Sequence, residues 1–202
     1  PFVLGAHPDL ERFSQPEAAR AHALALLQQA PASTHVDDTW ARLCCEQALL
    51  ALEEGCYAVG ALLVDGADEL LCSGRNQVFA EAYSSAAHAE MQVLDQLETK
   101  HAHVDHRDLT LYVSLEPCLM CYGRILLAGI TRVRYLARDR DGGFALRHGR
   151  LPPAWANLAS GLSVVQATAD AYWLHLAEQV IVGLQDRRSM RERVVAAWRG
   201  GR

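Results

Sequence analysis

Strand-like runs alternating with helical patterns predict an α/β sandwich whose sheet is partly parallel. Three observations carry that expectation. The stretch "CYAVGALLVDGADELLCSGRN" holds two short apolar runs about Asp65-Gly66, a turn pair that joins hairpin strands. Later, "LTLYVSLE" and "TRVRYLA" bracket a helical stretch, the pattern of a crossover between parallel strands. Half of the 202 residues are hydrophobic and 21% are charged, which supplies core for one domain with terminal additions.

Each element follows from local pattern. "QPEAARAHALALLQQA" (15–30) reads as a helix, with Pro16 near its first turn and Pro31 ending it. A second helix covers 39–55, with apolar residues at 40, 43, 44, 48, 49 and 52 and Gly55 as its C-terminal cap. The hairpin strands fall at 57–64 and 69–75, and 77–87 is a loop into a helix at 88–99. A strand at 109–116, a helix at 117–127 stopped by Gly129, and a strand at 131–137 follow. Residues 138–160 are rich in Gly and Pro and read as a long loop. A strand in "LSVVQ" and helices at 169–184 and 188–199 close the chain. The chain thus divides into an N-terminal helical extension (1–38), a core (39–137) and a loop and helical segment that completes the domain (138–202).

Composition narrows the partners. The net charge is −5 and the pI about 6.0, whereas nucleic-acid binders carry a basic surplus for phosphate contacts. The C-terminal stretch holds Arg187, Arg188, Arg191, Arg193, Arg199 and Arg202, but Asp186 and Glu192 interrupt it. It reads as a solvated amphipathic helix with Val194, Val195 and Trp198 inward, in preference to a phosphate-contacting tail. No apolar run reaches the roughly 18 residues of a membrane span. The N-terminus lacks the basic start and apolar run of a secretory signal, so the expected setting is cytoplasmic. Cys44, Cys45, Cys56 and Cys72 lie in apolar segments as small buried hydrophobes. His101, His103 and His106 read as a solvated loop. Trp155, Tyr172 and Trp173 read as core or dimer contacts.

The chemistry sits in two short stretches. In "SSAAHAEMQVLDQLE", His88 and Glu90 are two apart, which on a regular helix points them about 200° from each other. They converge only if His88 opens the helix and both groups face forward from its end. In "SLEPCLMCYGRILLAGI", Cys118 and Cys121 are three apart and share one face of a helix start. The positive dipole end there stabilises thiolates. Two such thiolates suit zinc and leave two tetrahedral corners. His88 fills the third, and a water the fourth, with Glu90 beside it as general acid and base. Three protein ligands plus water is the open arrangement of a catalytic zinc site. A lone C-x-x-C is also common in redox or structural zinc sites, but no further closely spaced Cys or His pair offers a fourth ligand.

His-x-Glu followed by Pro-Cys-x-x-Cys is the signature of the zinc nucleobase deaminases. With "AAHAE", "SLEPCLMCYGRILLAGI" and "GALLVDG…GRN", residues 39–137 resemble the cytidine/deoxycytidylate deaminase superfamily, in the branch of guanine deaminases and tRNA adenosine deaminases. The resemblance implies a three-layer α/β/α cytidine deaminase-like sandwich with a mixed central sheet, plus C-terminal helices. It implies one Zn²⁺ per chain on His88, Cys118 and Cys121, with Glu90 as the proton shuttle. Asn76 matches a ring-binding asparagine, for which a turn role after Gly74 is the alternative. The backbone N–H of Ala89 matches a group that holds a ring or carbonyl atom, and Glu116 positions the cysteine turn. Dimers are usual in this branch, and a C-terminal segment can cover a partner's pocket, so a homodimer is expected. Guanine deaminases of this branch carry an acid near the segment "RDRDGGFALRHG" that reads the amino edge of the base. Here Ala145 stands in its place and Asp141 is the candidate substitute. The expected activity is hydrolytic deamination of a free nucleobase or nucleoside, of guanine type, with ammonia released. Nucleic acid and membrane are not expected partners. The alternatives are a tRNA adenosine deaminase, a deaminase of another ring (cytosine, aminotriazine, pterin), and a zinc-stabilised interaction domain without catalysis.

Overall fold

A computed structural model describes residues 16–144, 149, 151–181 and 187–200. Ala145, Asp186 and Arg202 lie outside the described residues. Five strands form one sheet in the order β2-β1-β3-β4-β5: β1 (Gly60–Val64), β2 (Leu70–Arg75), β3 (Thr110–Leu115), β4 (Arg132–Ala137) and β5 (Ser163–Gln166). β1 pairs antiparallel with β2 and β3, whereas β3, β4 and β5 run parallel, so the sheet is mixed. The turn between β1 and β2 is longer than a two-residue hairpin. Asp65 Oδ1 accepts from the backbone N–H of Ala67 and Glu69, and Asp68 takes a φ of 59°.

The alternation of β1 separates two cores. Leu62 and Val64 face helices α1 (Pro16–Gln28), α2 (Asp38–Glu53) and α6 (Ala171–His175), where Cys44, Cys45, Leu49 and Trp173 are buried. Ala61 and Leu63 face α3 (Ala89–Lys100) and α4 (Leu119–Leu127), through Val93, Leu94, Leu97 and Ile125. The fold is the α/β/α sandwich that the pattern implied, with extra C-terminal helices. Cys44, Cys45 and Cys72 sit in these cores and Cys56 is buried, and Tyr172 and Trp173 are core contacts, with the Tyr172 hydroxyl donating to Leu26 O.

Several segments depart from expectation. The stretch read as a loop contains α5 (Pro153–Ala159), with Pro153 in its first turn, and Trp155 packs there with Tyr122, Leu126 and Phe144. The helix expected over 169–184 is α6 followed by π-helical turns over Leu176–Ile181. α7 (Arg187–Trp198) follows. α4 starts at Leu119, two residues later than Pro117 suggested. Cys118 is extended (φ −72°, ψ 173°) because it bridges Gly143, and Pro117 O accepts from Phe144 N at 2.9 Å.

Two buried aspartates, not anticipated from pattern, fasten the C-terminal part to the core. Asp37 accepts from the Tyr112 hydroxyl (2.7 Å) and from Thr168 N (2.6 Å). Asp38 accepts from the backbone N–H of Thr34, His35 and Asp170, at 2.8, 2.8 and 2.7 Å. Buried carboxylates need this density of donors to offset lost hydration.

Candidate metal centre and active site

Two helix starts meet beyond the C-terminal end of β3. His88 is the N-cap of α3, in extended conformation (φ −75°, ψ 155°), so its ring projects from the helix end. Glu90, in the first turn, is 3% exposed, and Ala89 between them is fully buried. The first N–H groups of α3, Ala89 among them, have no partner inside the helix. From the other side, Cys118 caps α4 and Cys121 lies within its first turn.

His88 Nδ1 lies 3.7 Å from Cys118 Sγ and 3.5 Å from Cys121 Sγ. The three ligand atoms all fall within 4.8 Å of one another. Tetrahedral zinc, with bonds of about 2.3 Å to sulfur and about 2.0–2.1 Å to nitrogen, requires N···S edges of about 3.5 Å. The donor set therefore fits zinc in both chemistry and spacing. No other such cluster occurs among the described residues, the loop histidines His101, His103 and His106 included.

The groups compete for protons in a way that a dication would resolve. Its bond from Cys121, then one from His88, holds Cys118 down to about 4 against burial. Cys121 is pushed far the other way by the same bond and by burial. Burial pulls His88 down, but its bond to Cys118 and the charge of Glu90 leave it raised. Burial raises Glu90, and the neighbouring Cys118 adds to the effect.

A cavity of about 340 Å³ opens beside this cluster, lined by His88, Glu90, Cys118, Asn76 and Asp139 among others. Asn76, 2% exposed, accepts from Val78 N through Oδ1 at 3.1 Å, which leaves its NH₂ to meet the cavity. It thus makes a turn contact and lines the cavity at once. Asp141 is exposed on the following turn and is not among the lining residues; Asp139 is. Asp139 Oδ1 accepts from Asp141 N and Gly142 N at 3.1 and 3.0 Å, so the turn aims Asp139 and not Asp141. Glu116, also a lining residue, is 4% exposed and sits against Gly143. A Cβ on Gly143 would fall 2.6 Å from the Glu116 carboxyl carbon and 2.5 Å from Asp139 O, so only glycine fits the bridge to Cys118. Val194 brings α7 of this same chain to the cavity, where the resemblance had suggested a partner's segment.

Residues 34–137 match the family described as the cytidine and deoxycytidylate deaminase zinc-binding region. The chain belongs to that family. The His/Cys/Cys cluster, a donor set able to hold zinc, lies within the matched region. The tRNA-specific adenosine deaminase 2 of Xenopus laevis is 35% identical over 111 residues, covering 52% of this chain and 62% of the relative. A cytosine deaminase of Candida albicans is 33% identical over 88 residues, covering 44% of this chain and 57% of the relative. The chain thus spans less than two thirds of either. A solved structure described as a guanine deaminase from Nitrosomonas europaea superposes with a TM-score of 0.56 at 20% identity, over 90% of this chain and 96% of that one. That likeness shows the fold alone. A structure from work on tRNA:A34 deaminases superposes with a TM-score of 0.54 at 27% identity, over 62% of this chain and 94% of that one.

Proposed function

We propose that this chain is a zinc-dependent hydrolytic deaminase of a small aminated N-heteroaromatic ring. The observation that carries it is the placement of Glu90, a buried carboxylate two residues after His88, lining the same cavity without being one of the three clustered donors. Zinc bound by His88, Cys118 and Cys121 would supply a Lewis acid that brings the pKa of water near neutrality. Glu90 accepts the proton of the attacking water and passes it to the ring nitrogen next to the aminated carbon. It then takes the proton of the hydroxyl now on that carbon and gives it to the amine, so the C–N bond breaks and ring–NH₂ and water become ring carbonyl and ammonia. The NH₂ of Asn76 and the N–H of Ala89 orient the ring, and Asp139 is the acid placed to accept from a substrate N–H.

Guanine as the specific substrate has less support than the broader class. The exposed position of Asp141 removes the expected reader of the guanine amino edge. Relatives at 33–35% identity are named for tRNA adenosine and for cytosine, bases whose aminated carbon adjoins a ring nitrogen. Adenosine within tRNA is the second reading, favoured by the 35% identity to a tRNA-specific enzyme. Ammonia release from the zinc-loaded protein across adenine, cytosine, guanine, their nucleosides, aminotriazines, aminopterins and an anticodon stem-loop tests both. Turnover of a free ring supports the first reading; turnover confined to the stem-loop supports the second, and none with any compound rejects both.

A further inference from the structure

α7 lies against the mouth of the cavity and is fastened there by contacts that the reaction does not use. Val194 lines the cavity. Next to it, the Arg193 guanidinium carbon stands 3.9 Å over the centroid of the Phe79 ring, and the same group donates to Gly55 O. Five residues on, Trp198 Nε1 donates to the Tyr83 hydroxyl at 3.2 Å. Phe79 and Tyr83 belong to the loop between β2 and α3, with their rings 5.7 Å apart, and Tyr57 extends the row at 6.0 Å from Phe79. Tyr57 and Tyr83 also line the cavity. The clasp therefore joins α7 to the wall that a substrate ring would face.

We infer that Arg193 and Trp198 are positioning residues that latch α7 over the cavity of their own chain, so that the site admits a free ring and excludes a polynucleotide. This deepens the proposed function and rests on it for the substrate. A base flipped from a nucleic acid carries flanking nucleotides that need room on both sides of the pocket mouth. The latched helix occupies that room. Cation–π and single hydrogen-bond contacts of this kind are individually modest, so the latch can open for a small ring to enter. Arg191, on α7, and Arg199, just past its end, are both exposed. If α7 served RNA instead, those arginines would bind its phosphates and the helix would not act as a barrier.

The test uses the zinc-loaded protein and its Arg193→Ala and Arg193→Lys variants. Hydrogen exchange over 77–87 and 187–200 reads the latch without reference to activity. Arg193→Ala should accelerate exchange in both segments together, with α3, α4 and zinc content unchanged, and Arg193→Lys should restore part of the protection. Arg193→Ala should also raise KM for the free ring roughly tenfold with kcat little changed. Turnover of the same base in a stem-loop should rise relative to the free ring. Unchanged exchange, or faster exchange in α7 alone, would overturn the latch. Faster exchange with unchanged selectivity would overturn its role as a barrier, as would tighter stem-loop binding by the wild type than by the variant. Should no protein release ammonia from any substrate, the deaminase reading fails and the exchange data alone decide the latch.

Discussion

At Glu90 the backbone and the side chain answer to different demands. The helix places it two residues after His88, a spacing that would separate the two groups on a regular helical side. The extended conformation of His88 at the N-cap lets both reach one cavity. Glu90→Ala should retain one zinc per chain and lose about 10²–10⁴-fold in kcat, measured by metal analysis beside ammonia release. Retained turnover would reassign the proton shuttle. Cys118→Ala should lose zinc, and with it thermal stability, because the metal would tie α3 to α4; equal Tm values with and without a chelator would contradict this. His88, Glu90, Cys118 and Cys121 were legible because metal chemistry demands those residue types at those spacings. Asp139 was not, because a carboxylate in "RDRDGG" gives no sign of which of its neighbours the turn will aim inward. Only the backbone bonds from Asp141 and Gly142 to its side chain decide that.

Helix starts are the elements that make the site. The α4 start is shaped by a distant strand-like segment: Cys118 is held extended by Gly143, and Glu116 is pressed against that glycine. Gly143→Ala should push Glu116 and Cys118 apart and weaken zinc binding by about 10–100-fold, the range typical of lost supporting contacts around a metal. Competition with a chromophoric chelator measures it, and unaltered affinity would show that the bridge does not position Cys118. α4 starts later than its sequence suggests because Pro117 fits a first helical turn by its fixed φ, while the pairing that overrides this is made with Gly143 and Phe144, far along the chain. α5 was hidden for a similar reason. Its seven residues, about two turns, show little periodicity, and what orders them is Trp155 packing against Tyr122 and Leu126.

Across the whole molecule, the part after residue 150 is built into the domain through polar pins as well as apolar packing. The strands, their order of appearance and the apolar helices could be read from periodicity, since each half-buried face repeats locally. The pins could not, because Asp37 and Asp38 look like helix-start residues and their partners Thr168 and Asp170 lie 131 and 132 positions away. Asp38→Asn removes an acceptor lone pair from a site with three N–H donors and should cost about 1–3 kcal/mol in urea unfolding at neutral pH. Burial alone would raise Asp38, but its bonds from Asp170, His35 and Thr34 hold it below 3.8. A carboxylate with a depressed folded pKa stabilises above its unfolded value and loses that contribution as pH falls through the folded one. The stability gap between wild type and Asp38→Asn should therefore be full above pH 3.8 and narrow below it. A gap independent of pH would place the effect in packing.

The claim beneath all of this is that one imidazole and two thiolates hold a zinc whose remaining position is open. X-ray absorption at the zinc edge of the loaded protein tests it most directly. The account predicts two sulfurs at about 2.3 Å and two nitrogen or oxygen scatterers at about 2.0–2.1 Å. A shell of three or four sulfurs, or of none, would contradict it.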